Sequence, residues 1–170
     1  MIDVEYVRLL ARYNRWMNER LYAAIGAMPD GERKRDRGAF FGSIHRTLAH
    51  LVWADRTWLG RFTGRPHPVP AYGANEHPGW PALAAERELA DRDILEWAGQ
   101  LSSDWLGSTL EYRAASDNRR RQVPAWIAAT HLFNHGTHHR GQVTTLVKQA
   151  GVDPGVTDLP YLPGVIRVVD

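Results

Sequence analysis

At 170 residues the chain is long enough for one domain with a sizeable apolar core, so neither a metal nor a disulfide is needed merely to make it fold. It has no cysteine, which excludes disulfides, thiolate metal ligands and a cysteine nucleophile. The formal net charge of +2 is a weak case for a nucleic-acid partner, and Arg33-Lys34-Arg35-Asp36-Arg37 and Arg119-Arg120-Arg121 both fall in expected connections, where solvated turns are the simpler reading.

The opening residues carry Asp3, Glu5 and Arg8, with no long apolar run and no small-residue cleavage site, so they read neither as a signal peptide nor as an anchor. No later stretch approaches a membrane-spanning length, and the expected location is the cytoplasm. A first helix is predicted over residues 4–27. Val4, Val7, Leu10, Tyr13, Met17, Leu21 and Ile25 form its buried stripe, Asp3 caps it, and Pro29 with Gly31 closes it. A second helix is predicted over 40–63, with Phe41, Ile44, Leu48, Leu51, Trp58 and Phe62 on one face and Gly64 as its stop.

Residues 65–79 carry four prolines and read as a long irregular connection, of a length often tied to a binding or lid role though also suited to simple bridging. A third helix is predicted over 81–105, with Leu83, Ala90, Ile94, Trp97, Leu101 and Trp105 inward. Residues 108–123 alternate in a way that fits a small hairpin or an extended crossover, with Ser116-Asp117-Asn118 as the turn. Pro124 opens a fourth helix running to about residue 150, and the proline-rich tail packs on the bundle as irregular chain. The fold class is therefore all-α: a single four-helix-bundle domain over 1–170, with long crossovers.

The chemistry concentrates in the fourth helix, where His131, His135 and His139 repeat at four-residue spacing and lie above one another on a helix. At about 100° per residue, the apolar stripe is centred within about 20° of His139 and about 40° of His135, while His131, His138 and Gln142 fall on its flank. Burying two uncoordinated imidazoles is costly, and a shared metal ion accounts for both. Two ligands are too few for a retained site, so another helix must add a third. His45 and His50 are the candidates, each roughly 100° from the middle of the second helix's apolar face. The small residues Thr47 and Ala54 on the His50 flank favour His50 only modestly.

Asp55 lies near the middle of that apolar face and needs a buried partner, either a ligand histidine that it orients or an arginine. Asn14 and Asn18, one turn apart, could line the pocket or make hydrogen bonds between helices. Gly136 and Gly141 are expected where helices pack closely beside the metal. Trp16 and Trp58 could wall the pocket.

Tyr13-Asn14-x-Trp16-x-Asn18, Leu48-x-His50 followed by Asp55 and Trp58, and His135-x-x-x-His139-Arg140-Gly141-Gln142, in this order, resemble the DinB family of helical metal-binding proteins. The resemblance implies an up-down bundle with a long crossover, frequent homodimers, and a nickel- or zinc-like ion held by His50, His135 and His139. It also implies kinship with thiol-dependent transferases and isomerases. The expected function is that of a metal-dependent transferase or hydrolase acting on a small-molecule thiol or electrophile. The alternative is a metal-binding stress-response or storage protein without turnover. His131 and His138 could shuttle a proton there, and Gln142 stands beside the ligands as a pocket candidate.

Overall fold

In a computed structural model, the chain is described over residues 2–68 and 79–167. Helix α1 spans Val4–Gly26, and the Asp3 side chain accepts from the Tyr6 backbone N–H, as its capping position predicts. Pro29 does not simply end it, because a short helix α2 follows at Asp30–Lys34. Helix α3 spans Ile44–Thr63 and stops at Gly64, whose φ of 66° is the left-handed cap expected of glycine. The predicted start at residue 40 is four residues early. Ser43 is the true cap, its hydroxyl accepting from the Arg46 N–H, and Gly42 at φ 78° turns the chain just before it.

Helix α4 spans Trp80–Gln100. The long connection predicted before it falls largely outside the described residues, at 69–78. The single third helix expected to residue 105 is instead two: Leu101 leaves helical geometry, and Ser102 caps a separate helix α5 at Ser103–Gly107. Strands β1 (Thr109–Arg113) and β2 (Arg120–Pro124) then form an antiparallel hairpin in which Leu110 faces Val123, resolving the hairpin-or-crossover alternative. Helix α6 spans Ala125–Gln149. The tail contains one short turn of helix at Leu159–Tyr161 and packs on α1, where Tyr13 Oη donates to the Thr157 carbonyl.

The architecture is an all-α bundle of four main helices. Helix α1 packs on α4 and α6, and α3 packs on the same two, so the α3–α6 and α1–α4 seams lie on opposite sides. Its apolar core is in two parts. One holds Val7, Phe62, Ile94 and Phe133, and the other holds Leu21, Leu48, Leu83 and Val147. Along the sequence α1 and α6 pass from the first to the second, and α3 and α4 pass from the second to the first. Helices α3 and α4 are therefore parallel, which is why the sequence between them must be long enough to return the length of the bundle.

Between the two apolar parts lies a buried polar layer to which every main helix contributes. Arg87 of α4 donates to Asp55 of α3 at 2.6 Å and pairs with Asp91 at 2.9 Å. Asn14 and Asn18 of α1 donate to Asp91 Oδ1 at 3.1 and 2.9 Å, and Arg140 of α6 donates to Asn14 Oδ1. Two arginines meet two aspartates, so the layer closes with its formal charge balanced. No helix among the described residues is long and apolar enough to cross a membrane.

Candidate metal centre

The α3–α6 seam brings together the residues that the sequence separates by 85 positions. His50 Nε2 lies 3.2 Å from His135 Nε2, which lies 3.1 Å from His139 Nε2. Helix geometry supplies the second pair, since His135 and His139 are one turn apart. The antiparallel packing of α3 supplies the first. These three residues form a group able to hold a metal ion, and among the described residues no carboxylate joins it. His139 is buried, and His50 and His135 are half-buried.

The ring orientations fit that role. His139 Nδ1–H donates to Gln142 Oε1 at 2.8 Å, which leaves Nε2 as a bare lone pair facing the cluster. Gln142 Nε2 in turn donates to His138 Nε2 at 3.3 Å. In the protein alone, one proton on His135 Nε2 would have to serve two neighbours, whereas a single ion satisfies all three lone pairs. Zinc–nitrogen bonds of about 2.05 Å at tetrahedral angles set ligand nitrogens about 3.3 Å apart, close to the spacing seen.

Electrostatics keep the imidazoles in the form a metal needs. Burial, reinforced by His139, pulls the His50 pKa down to about 4. Burial, with the surrounding imidazoles adding to it, pulls His135 down to about 3. His139 is lowered too, mainly by burial, with the Gln142 hydrogen bond opposing. All three are therefore neutral near pH 7, with lone pairs available.

Phe41 stacks on His50 with ring centroids 4.1 Å apart and also touches the His139 ring at 5.4 Å. Trp53 stacks on the same imidazole at 6.0 Å. Phe41 can do this because it precedes α3 in the turn around Gly42 rather than lying inside the helix. The exposed His131 packs against Trp58 at 5.0 Å, which in turn carries Arg61 over its face.

Other sequence candidates stand elsewhere. Asp55, Asn14 and Asn18 belong to the buried polar layer, where the Asp55 partner is Arg87. Asp91, the acceptor at the middle of that layer, was not singled out in the sequence. Its signal was legible, because Arg87 and Asp91 sit on the same inward stripe as Leu83, Ala90 and Ile94. His45 is buried on another side of α3. Gly136 is where close packing requires it, since a Cβ there would meet Arg140 Nη1 at 3.0 Å and Asn14 Oδ1 at 3.3 Å. Gly141 departs from the same expectation, as a Cβ on it would meet open space.

Comparison with known proteins gives the same assignment from independent directions. The DinB family model matches residues 1–164. The protein called DinB from Bacillus subtilis (strain 168) is 26% identical over 157 residues, covering 88% of each chain. The crystal structure of a DinB-like protein from Bacillus cereus superposes with a TM-score of 0.59 at 22% identity, over 83% of this chain and 91% of that one, a likeness of fold. With its family-wide match, its helical bundle and its histidine cluster, the chain belongs to the DinB family.

Proposed function

We propose that the protein binds one divalent transition-metal ion per chain, nickel or zinc, through Nε2 of His50, His135 and His139. It serves as a metal-dependent enzyme, a thiol-dependent transferase or a hydrolase, acting on a small molecule. The observation that carries this reading is the convergence of three neutral Nε2 atoms at 3.1 and 3.2 Å, one of them aimed by Gln142. When bound, a divalent ion there would supply Lewis-acid polarisation of a substrate oxygen or stabilise the thiolate of an external thiol, since the chain has none of its own.

The chain's own residues prepare that chemistry. Gln142 fixes the proton of His139 on Nδ1. Phe41 and Trp53 brace His50 and shield it from water on their side. His138, whose Nε2 accepts from Gln142, carries its own proton on Nδ1. Structural ions are normally closed by four protein ligands, whereas three gather here among the described residues, which favours an open position and hence turnover. A non-catalytic stress-response or storage protein is the second reading.

The proposal includes a cytoplasmic location, a homodimer and no nucleic-acid partner. Local ion pairs support the last point: Arg35 and Arg37 share Glu32, Arg120 pairs with Glu111, and Arg121 pairs with Asp117, so much of the charge of both basic runs is engaged within the fold.

Elemental mass spectrometry on tag-free protein tests the site directly. The parent should carry close to one transition-metal ion per chain, and His50→Ala, His135→Ala and His139→Ala should each lose it. A parent that stays metal-free after supplementation with zinc and nickel would overturn the proposal. Metal-dependent turnover in a screen of thiols with electrophiles and activated esters separates enzyme from storage protein.

A further inference from the structure

The side of α3 that carries His50 continues past the histidine cluster toward the hairpin. Positions 54, 57 and 61 fall within about 40° of His50 around the helix, so Ala54, Thr57 and Arg61 share its side. Only small side chains therefore stand on the line between the imidazole and the guanidinium, while Trp53 and Trp58 flank that line on its two sides. Helix α6 follows the same course, since the His131 ring lies 5.5 Å from His135 and 5.0 Å from Trp58. His50, Trp53, Thr57, Trp58 and Arg61 are all half-buried, so each keeps surface in contact with solvent.

Arg61 is held in place at the far end. Its guanidinium lies 4.4 Å from the ring centres of both Trp58 and Tyr112, and Nη2 donates to the Arg113 carbonyl at 3.4 Å. Nε and Nη1 have no hydrogen-bond partner among the described residues, yet neither is sealed from solvent, so a ligand can reach both. No carboxylate among the described residues pairs with Arg61, whereas Arg56, Arg87 and Arg121 each meet an aspartate. Burial, opposed by Tyr112 and helped by Arg121, holds Arg61 below the ordinary arginine pKa. It is still a cation near pH 7, with part of its hydration lost and no counter-ion, which suits it to an anionic ligand.

We propose that Arg61 is the specificity-determining residue of the metal centre's substrate site, and that the substrate is an extended small molecule with a carboxylate at the end remote from the ion. The reactive end lies at the histidine cluster, the body runs over Ala54 and Thr57 between the two tryptophan rings, and the carboxylate accepts from the free guanidinium nitrogens of Arg61. At about 1.5 Å per residue, positions 50 and 61 stand about 16 Å apart along the helix, too far for a short thiol acid to span. The inference rests on the reading of the three histidines as a metal site.

Isothermal titration calorimetry on zinc-loaded full-length protein compares ω-mercaptooctanoate, ω-mercaptooctanol and thioglycolate, each of which can present a thiolate to the ion. The parent should bind the octanoate about tenfold more tightly than the octanol, the worth of a hydrogen bond to a charged group. Arg61→Gln should remove that preference with zinc content and helical signal retained, and Arg61→Lys should keep part of it. Thioglycolate should bind the parent and Arg61→Gln alike, because it reaches the ion without reaching position 61. Equal affinity for the two long probes in the zinc-loaded parent, or binding of neither, would overturn the proposal without recourse to any variant. So would a preference for the octanoate that survives Arg61→Gln. A parent that takes up no zinc or nickel would sink the metal reading and this inference together, whereas metal uptake without a carboxylate preference would sink this inference alone.

Discussion

Because a carbonyl oxygen accepts but cannot donate, the contact from Gln142 Oε1 to His139 Nδ1 requires the proton on that nitrogen and turns the bare Nε2 toward the cluster. Gln142→Leu should therefore weaken metal affinity by about tenfold or more, measured by competition with a chromophoric chelator, while Gln142→Glu, which still accepts, should retain it. Equal affinity in the leucine variant would dismiss the positioning role. His135 and His139 were legible in the sequence, because two imidazoles on an apolar helix face are costly to bury unless something they share satisfies them. Periodicity favoured His50 over His45 only modestly. The angle of a residue around an isolated helix does not say which neighbour stands on each flank, and α6 lies on the His50 side. The family resemblance, resting on spacing across three helices, supplied what a single helix could not.

Elements were read well where caps and periodicity agreed, as at Asp3 and Gly64, and less well where a polar cap lay inside an apolar run. Ser43 and Ser102 each begin a helix after a turn that hydrophobic spacing alone passes over, since Phe41 and Trp105 keep the pattern going across the break. At this scale the polar layer ties all four main helices together through buried contacts. Asp91→Ala would leave Arg87 with Asp55 alone and two buried asparagine amides without their acceptor, at a cost of about 3–5 kcal/mol. In a domain of this size that corresponds to a Tm lower by about 10 °C, read by calorimetry on the metal-free protein. A change within about one degree would show the layer to be energetically neutral.

For the whole molecule, the bundle was legible because four long periodic segments have few other ways to bury their stripes. The direction of each helix was not, since amphipathicity is silent on whether neighbours run parallel. The structure ties global stability to acidity through the cluster. His50 and His135 titrate near 4 and 3 in the folded protein, against about 6.5 in an unfolded chain. Between those values the unfolded chain holds more protons, so folding is favoured above about pH 6.5 and loses stability as the pH falls toward 3. Both rings are partly open to solvent, which moderates the loss. Denaturant titrations of the metal-free protein should give a lower midpoint at pH 5 than at pH 7.5, with a smaller difference in His135→Ala. A midpoint independent of pH over that interval would contradict it.

The balanced layer also bears on how such a chain can change over generations. Asp55, Arg87, Asp91 and Arg140 sit on three different helices and neutralise one another, so replacing one strands a charge that the other three cannot absorb. Relatives are then expected to exchange these positions as a neutral set, while the apolar residues on either side drift one at a time.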